Sequence, residues 1–455
     1  MIKFQFSVKN RRLFQLEPAK VIVLSFFVVI IIGAFLLTLP ISSNSNVPRA
    51  DFLTALFTAT SATCVTGLVV VDTATQWSLF GQIVILILIQ IGALGFVTFA
   101  TFFSILLGRK VGLKTMILAQ QSLNDFSFEG VLNLIKNVIL ATFTIELAGA
   151  IILATRFVPK YGLRGIYISI FHSISSFCNA GFDILGGYQS LTTFNNDPVV
   201  LYSTAFLIIL GGLGFIVWKN LWEYRKDKEL LLHTKLVLVL VVSLLAFGTV
   251  FFLISEFNNP YTLGGLNLPG KINAAFFQSV TTRTAGFNSI PIGDMKEISK
   301  AISILLMFIG AAPGSTGGGV KVTTFGVIIV AILSQIKGVG HTIVFKRKVP
   351  YLSVTKSLAI LGLSAMLIII LTTILLIFED IAFLDVLFES VSAFGTVGLS
   401  AIGTSSLKNI SRVFIIITMF LGRVGPLSFA IAMTMKNTKK KNQDVVYPEG
   451  KIIVG

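Results

Sequence analysis

The sequence predicts an all-α polytopic membrane protein of four tandem repeats. Each repeat is a helix, a short re-entrant helix, a glycine loop and a second helix, giving eight transmembrane helices. Three observations carry that expectation. The 455 residues are 54% hydrophobic and only 12% charged, about half the roughly 25% of a soluble domain. Uncharged stretches recur along the chain, including 21–39, 73–108, 198–218, 236–255, 357–378 and 424–435, and many reach the ~20 apolar residues that a bilayer requires. One short polar motif also returns four times at near-equal intervals.

Taken in order, residues 1–20 form a basic N-terminal segment with Lys3, Lys9, Arg11 and Arg12. The apolar run that follows is too long for the core of a signal peptide. Pro40 and Ser42 come after it with no small-x-small cleavage site, so it reads as a retained first helix. Repeat 1 covers 21–108, repeat 2 131–222, repeat 3 235–335 and repeat 4 353–435, with a tail over 436–455. Five segments, 1–20, 108–130, 219–235, 335–356 and 436–455, hold 23 of the 36 Lys and Arg. Such asymmetry places basic connectors in the cytoplasm, and both termini with them. The formal net charge of +16 is therefore an orientation signal here, not a nucleic-acid footprint.

The repeated motif reads FTATSATCVTGL (57–68), FHSISSFCNAGF (171–182), FFQSVTTRTAGF (276–287) and FESVSAFGTVGL (388–399). Gly67, Gly181, Gly286 and Gly398 follow one another at 114, 105 and 112 residues. The segment of about 10–12 residues before each glycine is too short to span a bilayer, so it re-enters from the outer side. Non-helical backbone at membrane depth is tolerated only inside protein or along a water-filled cavity. Four such loops around one pseudo-fourfold axis can replace the hydration shell of a passing ion with backbone carbonyls. Glycine suits that task because it reaches conformations closed to other residues. The two cysteines, Cys64 and Cys178, sit three residues before a glycine in equivalent loops. They offer no disulfide framework and read as small packing residues.

On these motifs the chain resembles the Ktr/Trk/HKT superfamily of potassium-uptake proteins, and within it the bacterial Ktr membrane subunit, over nearly its whole length. The resemblance implies a degenerate potassium filter of Val65, Thr66, Gly67, Asn179, Ala180, Gly181, Thr284, Ala285, Gly286, Thr396, Val397 and Gly398. Sodium-selective members place serine at the first glycine position, so Gly67 implies potassium as the substrate. It also implies a homodimer in a bacterial cell membrane, paired with a separate cytosolic ring of nucleotide-binding regulatory subunits, and it allows sodium dependence. Basic connectors 219–235 and 335–356 and the C-terminal tail are the expected docking surface. No G-x-G-x-x-G fingerprint is present and no cytoplasmic segment exceeds about 30 residues, so a nucleotide-sensing domain within this chain is not expected.

The second helix of repeat 3 reads FIGAAPGSTGGGVKVTTFGV (308–327), with Gly310, Gly314, Gly317, Gly318, Gly319 and Pro313 in ten residues. Mid-helix glycine costs about 1 kcal/mol and proline about 3, so helix is not expected there. A phosphate-binding P-loop needs G-K-[ST], whereas Val320 separates Gly319 from Lys321. Residues 310–320, with Ser315, Thr316 and the adjoining Lys321, are instead expected to plug the pore and move to admit ions. Intramembrane gating loops of the resembled family support this. Arg423 is expected near the centre of the last helix, about 12 residues or roughly 18 Å from its ends, too deep to snorkel easily. An intramembrane charge needs a partner, either carbonyls of the 310–320 loop or Glu146. Arg283 is expected to brace its loop from behind, and Glu389 is a candidate counter-charge.

An enzyme is not expected: His172, His233 and His341 are scattered and no H-E-x-x-H or G-x-S-x-G occurs. His172 falls on a pore helix, where packing or capping is its expected role. No bound cofactor is expected, only potassium as substrate. The alternative is a sodium- or proton-coupled secondary transporter with broken helices.

Overall fold

The computed structural model describes residues 18–95, Thr98, Thr101, Phe102 and 131–434. The basic segment 108–130, most of the N-terminal segment and the tail 436–455 lie outside the described residues. The described chain is mostly helical, with one short hairpin of β1 (Ile343–Val344) and β2 (Arg347–Lys348).

Repeat 1 consists of α1 (Pro18–Thr38), α2 (Phe52–Cys64) and α3 (Leu79–Leu94). Repeat 2 has α4 (Val131–Tyr161), α5 (Arg164–Phe177), α6 (Pro198–Leu213) and α7 (Phe215–Asp227). Repeat 3 has α8 (Leu232–Glu256), α9 (Leu268–Thr281), α10 (Glu297–Phe308) and α11 (Val322–Ile336). Repeat 4 has α12 (Tyr351–Phe378), α13 (Phe383–Gly395), α14 (Asn409–Val424) and α15 (Pro426–Thr434).

Among the described residues, four helices are long and apolar enough to cross a membrane: those that open the repeats, α1, α4, α8 and α12. Their outer faces expose Phe35, Leu147, Ile254 and Ile369, as expected of surfaces solvated by lipid tails. The helices closing the repeats differ from the expectation of one continuous span each. Repeat 3 is not alone in being broken. Helix α3 ends at Gly95, α6 at Gly214 and α14 at Gly425, with nearly the same backbone at all three: φ 82 and ψ 134, φ 91 and ψ 140, φ 90 and ψ 130. That region is open only to glycine. Helices α6 and α7 together would be long enough to span, but they meet at 92°.

Local chemistry sets where the short helices begin. Asp51 caps α2 by accepting from Thr54 N at 3.1 Å, Ser78 caps α3, and Asn267 caps α9 ahead of Pro269. Oxygen side chains at this position satisfy otherwise orphaned N–H groups.

The repeats close into a ring. One core joins Leu37, Ile85 and Ile89 of repeat 1 to Phe171, Phe177 and Leu207 of repeat 2. A second joins Phe252 and Leu306 of repeat 3 to Phe388 and Phe394 of repeat 4. A third returns from Leu371, Val386 and Ile415 of repeat 4 to Ile30, Phe57 and Leu68 of repeat 1. Between apolar helices, close approach at small residues replaces the hydrophobic drive. Gly92, Gly211 and Gly422 rest directly on the carbonyls of Thr63, Phe177 and Phe394, the last turns of three short helices.

Candidate functional site

The four short helices α2, α5, α9 and α13 all end in the same backbone turn. The residue two before each loop glycine is left-handed without being glycine: Val65 (φ 57), Asn179 (φ 59), Thr284 (φ 65) and Thr396 (φ 50). The glycines follow at φ 91, 69, 80 and 95. The residues between, Thr66, Ala180, Ala285 and Val397, do not have positive φ. Alternating φ sign sets these turns apart from helix and strand, where φ is negative throughout. Left-handed backbone costs a non-glycine residue roughly 1–2 kcal/mol, so the surroundings must hold it there.

They do so from the preceding helix. The amides of Thr66, Ala180 and Val397 donate to the carbonyls of Ser61, Ser175 and Ser392 at 2.8, 2.7 and 2.9 Å, closing each helix in a Schellman-like turn. Side chains add a second tie. Ser61 and Ser392 accept from Gly67 N and Gly398 N, each at 3.1 Å. Ser175 donates to Phe182 O at 2.7 Å, and Thr281 donates to Phe287 O.

The four loops meet. A methyl group on Gly67 would lie 2.6 Å from Ala180 O, on Gly181 2.7 Å from Ala285 O, and on Gly286 2.7 Å from Val397 O. On Gly398 it would strike Thr66 O. Each glycine thus abuts the carbonyl preceding the next glycine, and the circuit closes after four. On one side of this ring opens a cavity of about 530 Å³, lined by the four glycines with Asp72, Asp183, Ser400 and Thr404.

The 310–320 segment lies against the other side. Helix α10 stops at Phe308 and α11 starts at Val322, and the segment between them folds back so that Gly310 N donates to Val320 O at 2.8 Å. Gly317 packs against the hydroxyl of Thr284 and Gly318 against that of Thr396. The segment is held from repeat 2 as well. Ala312 N donates to Gly212 O at 3.0 Å, Thr316 N to Gly211 O at 3.2 Å, and Phe215 N to Gly314 O at 2.8 Å. Thr316 Oγ1 also donates to Phe177 O at 3.3 Å, and Lys321 Nζ donates to Gly317 O at 2.6 Å.

Arg423 reaches this segment. Its Nη1 donates to Thr316 O, and its Nη2 to Gly92 O at 2.5 Å and Ala93 O at 3.2 Å. Its place on the helix differs from expectation: it is the next-to-last residue of α14, because Gly425 ends that helix two residues on. Arg283 Nη2 lies 3.4 Å from Gly310 O, where the segment begins.

The carboxylates expected near these arginines pair elsewhere. Glu146 accepts from Gln90 Nε2 at 3.1 and 3.2 Å, and the Cys178 thiol donates to Gln90 Oε1 at 3.3 Å. Glu389 accepts from Ser400 at 2.8 Å and Thr404 at 2.5 Å, bracing the outer loop of repeat 4. His172 is packed among Phe157, Phe171 and Phe287 with Nδ1 2.8 Å from Ile168 O.

Sequence reasoning named Val65, Asn179, Thr284 and Thr396 but not their left-handed backbone, and it missed Gln90 and the three helix breaks. The breaks had a signal: GALG (92–95), GGLG (211–214) and GRVG (422–425) share G-x-x-G at matching places in three repeats. Gln90, on an otherwise apolar helix, had none beyond its polarity.

Known proteins resemble this chain over most of its length. The family TrkH, described as a cation transport protein, matches residues 5–444. The chain is 44% identical over 441 residues to the Ktr system potassium uptake protein B of Bacillus subtilis, covering 96% of this chain and 97% of that protein. It is 36% identical over 453 residues to the potassium/sodium uptake protein NtpJ of Enterococcus hirae, covering 98% and 99%. The crystal structure of the potassium transporter TrkH from Vibrio parahaemolyticus shares the fold, with a TM-score of 0.73 at 17% identity over 94% of this chain and 86% of that one.

Proposed function

This chain belongs to the TrkH family of cation transport proteins, and on that premise we propose that it takes up potassium across a bacterial cell membrane as the translocating subunit of a Ktr-type system. Four pore units, with eight transmembrane segments in all, surround one pseudo-fourfold axis. The observation that carries this reading is the closed circuit of Gly67, Gly181, Gly286 and Gly398 against the carbonyls of Ala180, Ala285, Val397 and Thr66. A ring of carbonyls replaces part of the hydration shell of a bare monovalent cation. The acidic residues Asp72 and Asp183 at the outer cavity raise the local cation concentration.

Residues 310–320 are the gate. Lying against Thr284 and Thr396, they obstruct the path directly beneath the ring, and Arg423 holds them there while its charge repels cations. Charge-assisted hydrogen bonds are roughly twice as strong as neutral ones, so Arg423 accounts for much of the closed-state preference. The subunit works as a homodimer with a cytosolic nucleotide-binding ring, and both termini lie in the cytoplasm. Broken helices also occur in secondary transporters, but four re-entrant loops meeting at one ring favour a channel-like pore.

The test is growth of an uptake-deficient bacterial host on limiting potassium, with and without a regulatory partner, beside rubidium flux in vesicles carrying the purified chain. Growth rescue together with saturable rubidium flux is expected. Flux that requires a sodium or proton gradient in fixed stoichiometry would favour the coupled transporter instead.

A further inference from the structure

Helix α7 begins against the 310–320 segment and runs away from it toward a basic connector. Its first amide, Phe215 N, donates to Gly314 O at 2.8 Å, and Gly214 just before it packs on Pro313 O. Its middle is level with the start of α8, since Leu231 N donates to Asn220 Oδ1 at 2.9 Å. Helix α8 has 25 residues, about 38 Å at 1.5 Å per residue, against a hydrocarbon core of about 30 Å. Its first turn carries His233 and Lys235, residues suited to the headgroup layer, and the second half of α7 stands beside it.

That half of α7 carries the chemistry of a membrane interface. Trp222 is 77% exposed and Tyr224 45%, the two residue types that settle at headgroup level. The Arg225 guanidinium lies 5.9 Å from the Trp222 ring centre. Beside them is a cavity of about 240 Å³ lined by Tyr224, Lys228, Glu229, Leu230, Lys235 and Arg347. It joins two basic connectors more than a hundred residues apart in sequence. Three cations face one carboxylate, and none of the three is within ion-pair distance of a described carboxylate. The excess positive charge, the small polar volume and the adjoining aromatic surface fit a phosphodiester with acyl chains attached better than a free anion. An amphipathic, basic, aromatic helix end is the usual partner of anionic lipid.

We propose that this corner binds the headgroup of an anionic phospholipid of the cytoplasmic leaflet, and that the bound lipid holds residues 310–320 in their observed place through α7. A ligand shifts an equilibrium toward the state it binds better. The cavity exists with α7 bonded to Gly314, so the lipid favours the obstructed pore. The second half of the proposal rests on the gate reading above; the first half does not.

The experiment compares purified chain in vesicles of phosphatidylcholine alone and of phosphatidylcholine with one quarter phosphatidylglycerol. Rubidium flux should be at least threefold lower with phosphatidylglycerol. The combined variant Lys228→Gln, Lys235→Gln, Arg347→Gln should lose that difference and match wild type in the neutral vesicles. Native mass spectrometry should find phosphatidylglycerol retained by wild type and lost from the variant. Equal retention by both proteins would overturn the site. Retention by wild type alone, with no flux difference, would keep the site and overturn its link to the gate. Inhibition of neutral vesicles by added inorganic phosphate would overturn the lipid assignment in favour of a free anion. Loss of regulatory-ring binding in the variant, with no lipid effect, would make the corner a protein-docking surface instead.

Discussion

At the scale of single residues, the ring glycines and Arg423 make unlike demands. Each ring glycine combines positive φ with a neighbouring carbonyl too close for a methyl group, so a side chain strains its own backbone and pushes the next repeat. The backbone part alone is roughly 1–2 kcal/mol, and about tenfold in affinity follows from 1.4 kcal/mol. Gly286→Ser should therefore raise the half-saturating potassium concentration by about tenfold or weaken discrimination against sodium, measured by rubidium flux with competing ions. Arg423 instead spans Thr316, Gly92 and Ala93 with two nitrogens. Losing about 2 kcal/mol of charge-assisted bonding corresponds to roughly thirtyfold in a two-state equilibrium. Arg423→Ala should then raise flux several-fold at fixed potassium and reduce dependence on the regulatory partner. Arg423→Lys keeps the charge but not the fork, and should fall between the two. The glycines were legible in the sequence because they recur in phase. Val65, Asn179, Thr284 and Thr396 were named with them, but their left-handed backbone was not foreseen, because in Val and Thr it is imposed by contacts and not by the residue's own preference. The mid-membrane charges were legible as needing partners, but Gln90, which takes Glu146, sits in an apolar run that gives no hint of it.

At the scale of elements, the long opening helices were legible from length and hydropathy and the break in repeat 3 from its glycines and proline, whereas the breaks in the other three closing helices were not read. Their apolar runs continue through Gly95, Gly214 and Gly425, and the two or three glycines at each place weaken a helix by only about 1 kcal/mol apiece. What breaks them is packing. Gly214 stands at φ 91 against Pro313 O, and Gly211 and Gly212 accept amides from the 310–320 segment. A helix continued through this point would leave those amides without partners. Gly214→Ala should lower the thermal midpoint and increase basal flux together, since it strains the contact between α7 and the gate. Gly362→Ala is the matched control. Gly362 lies within α12 with nothing inside 4 Å of an added methyl group, so its melting midpoint should be unchanged or slightly higher. Removing Gly314–Gly319 outright should produce high flux that no longer responds to the regulatory partner. Normal expression with wild-type flux and intact regulation would reduce the segment to a packing kink.

For the whole molecule, three cores that each cross a repeat boundary make the ring a single body. Repeat 3 is also tied to repeat 4 by Lys300 Nζ and Asp385 Oδ1 at 2.8 Å. The sidedness expected from charge can be tested directly: with Cys64 and Cys178 buried, Lys226→Cys and Arg347→Cys supply clean reporters. Both should react with an impermeant thiol reagent only after the inner face is opened, and labelling in intact cells would reverse the topology. The four recurrences of one motif were legible in the sequence, while the meeting of the four loops depends on long-range packing that no local pattern encodes. The central claim is that a bare cation crosses where the four loops meet. Its most direct measurement is anomalous diffraction from crystals of the chain grown with rubidium or thallium. The account places the strongest peaks on the axis, level with the carbonyls of Thr66, Ala180, Ala285 and Val397, between the outer cavity and residues 310–320. An empty ring at saturating ion, or ordered ions only between helices away from that axis, would contradict it.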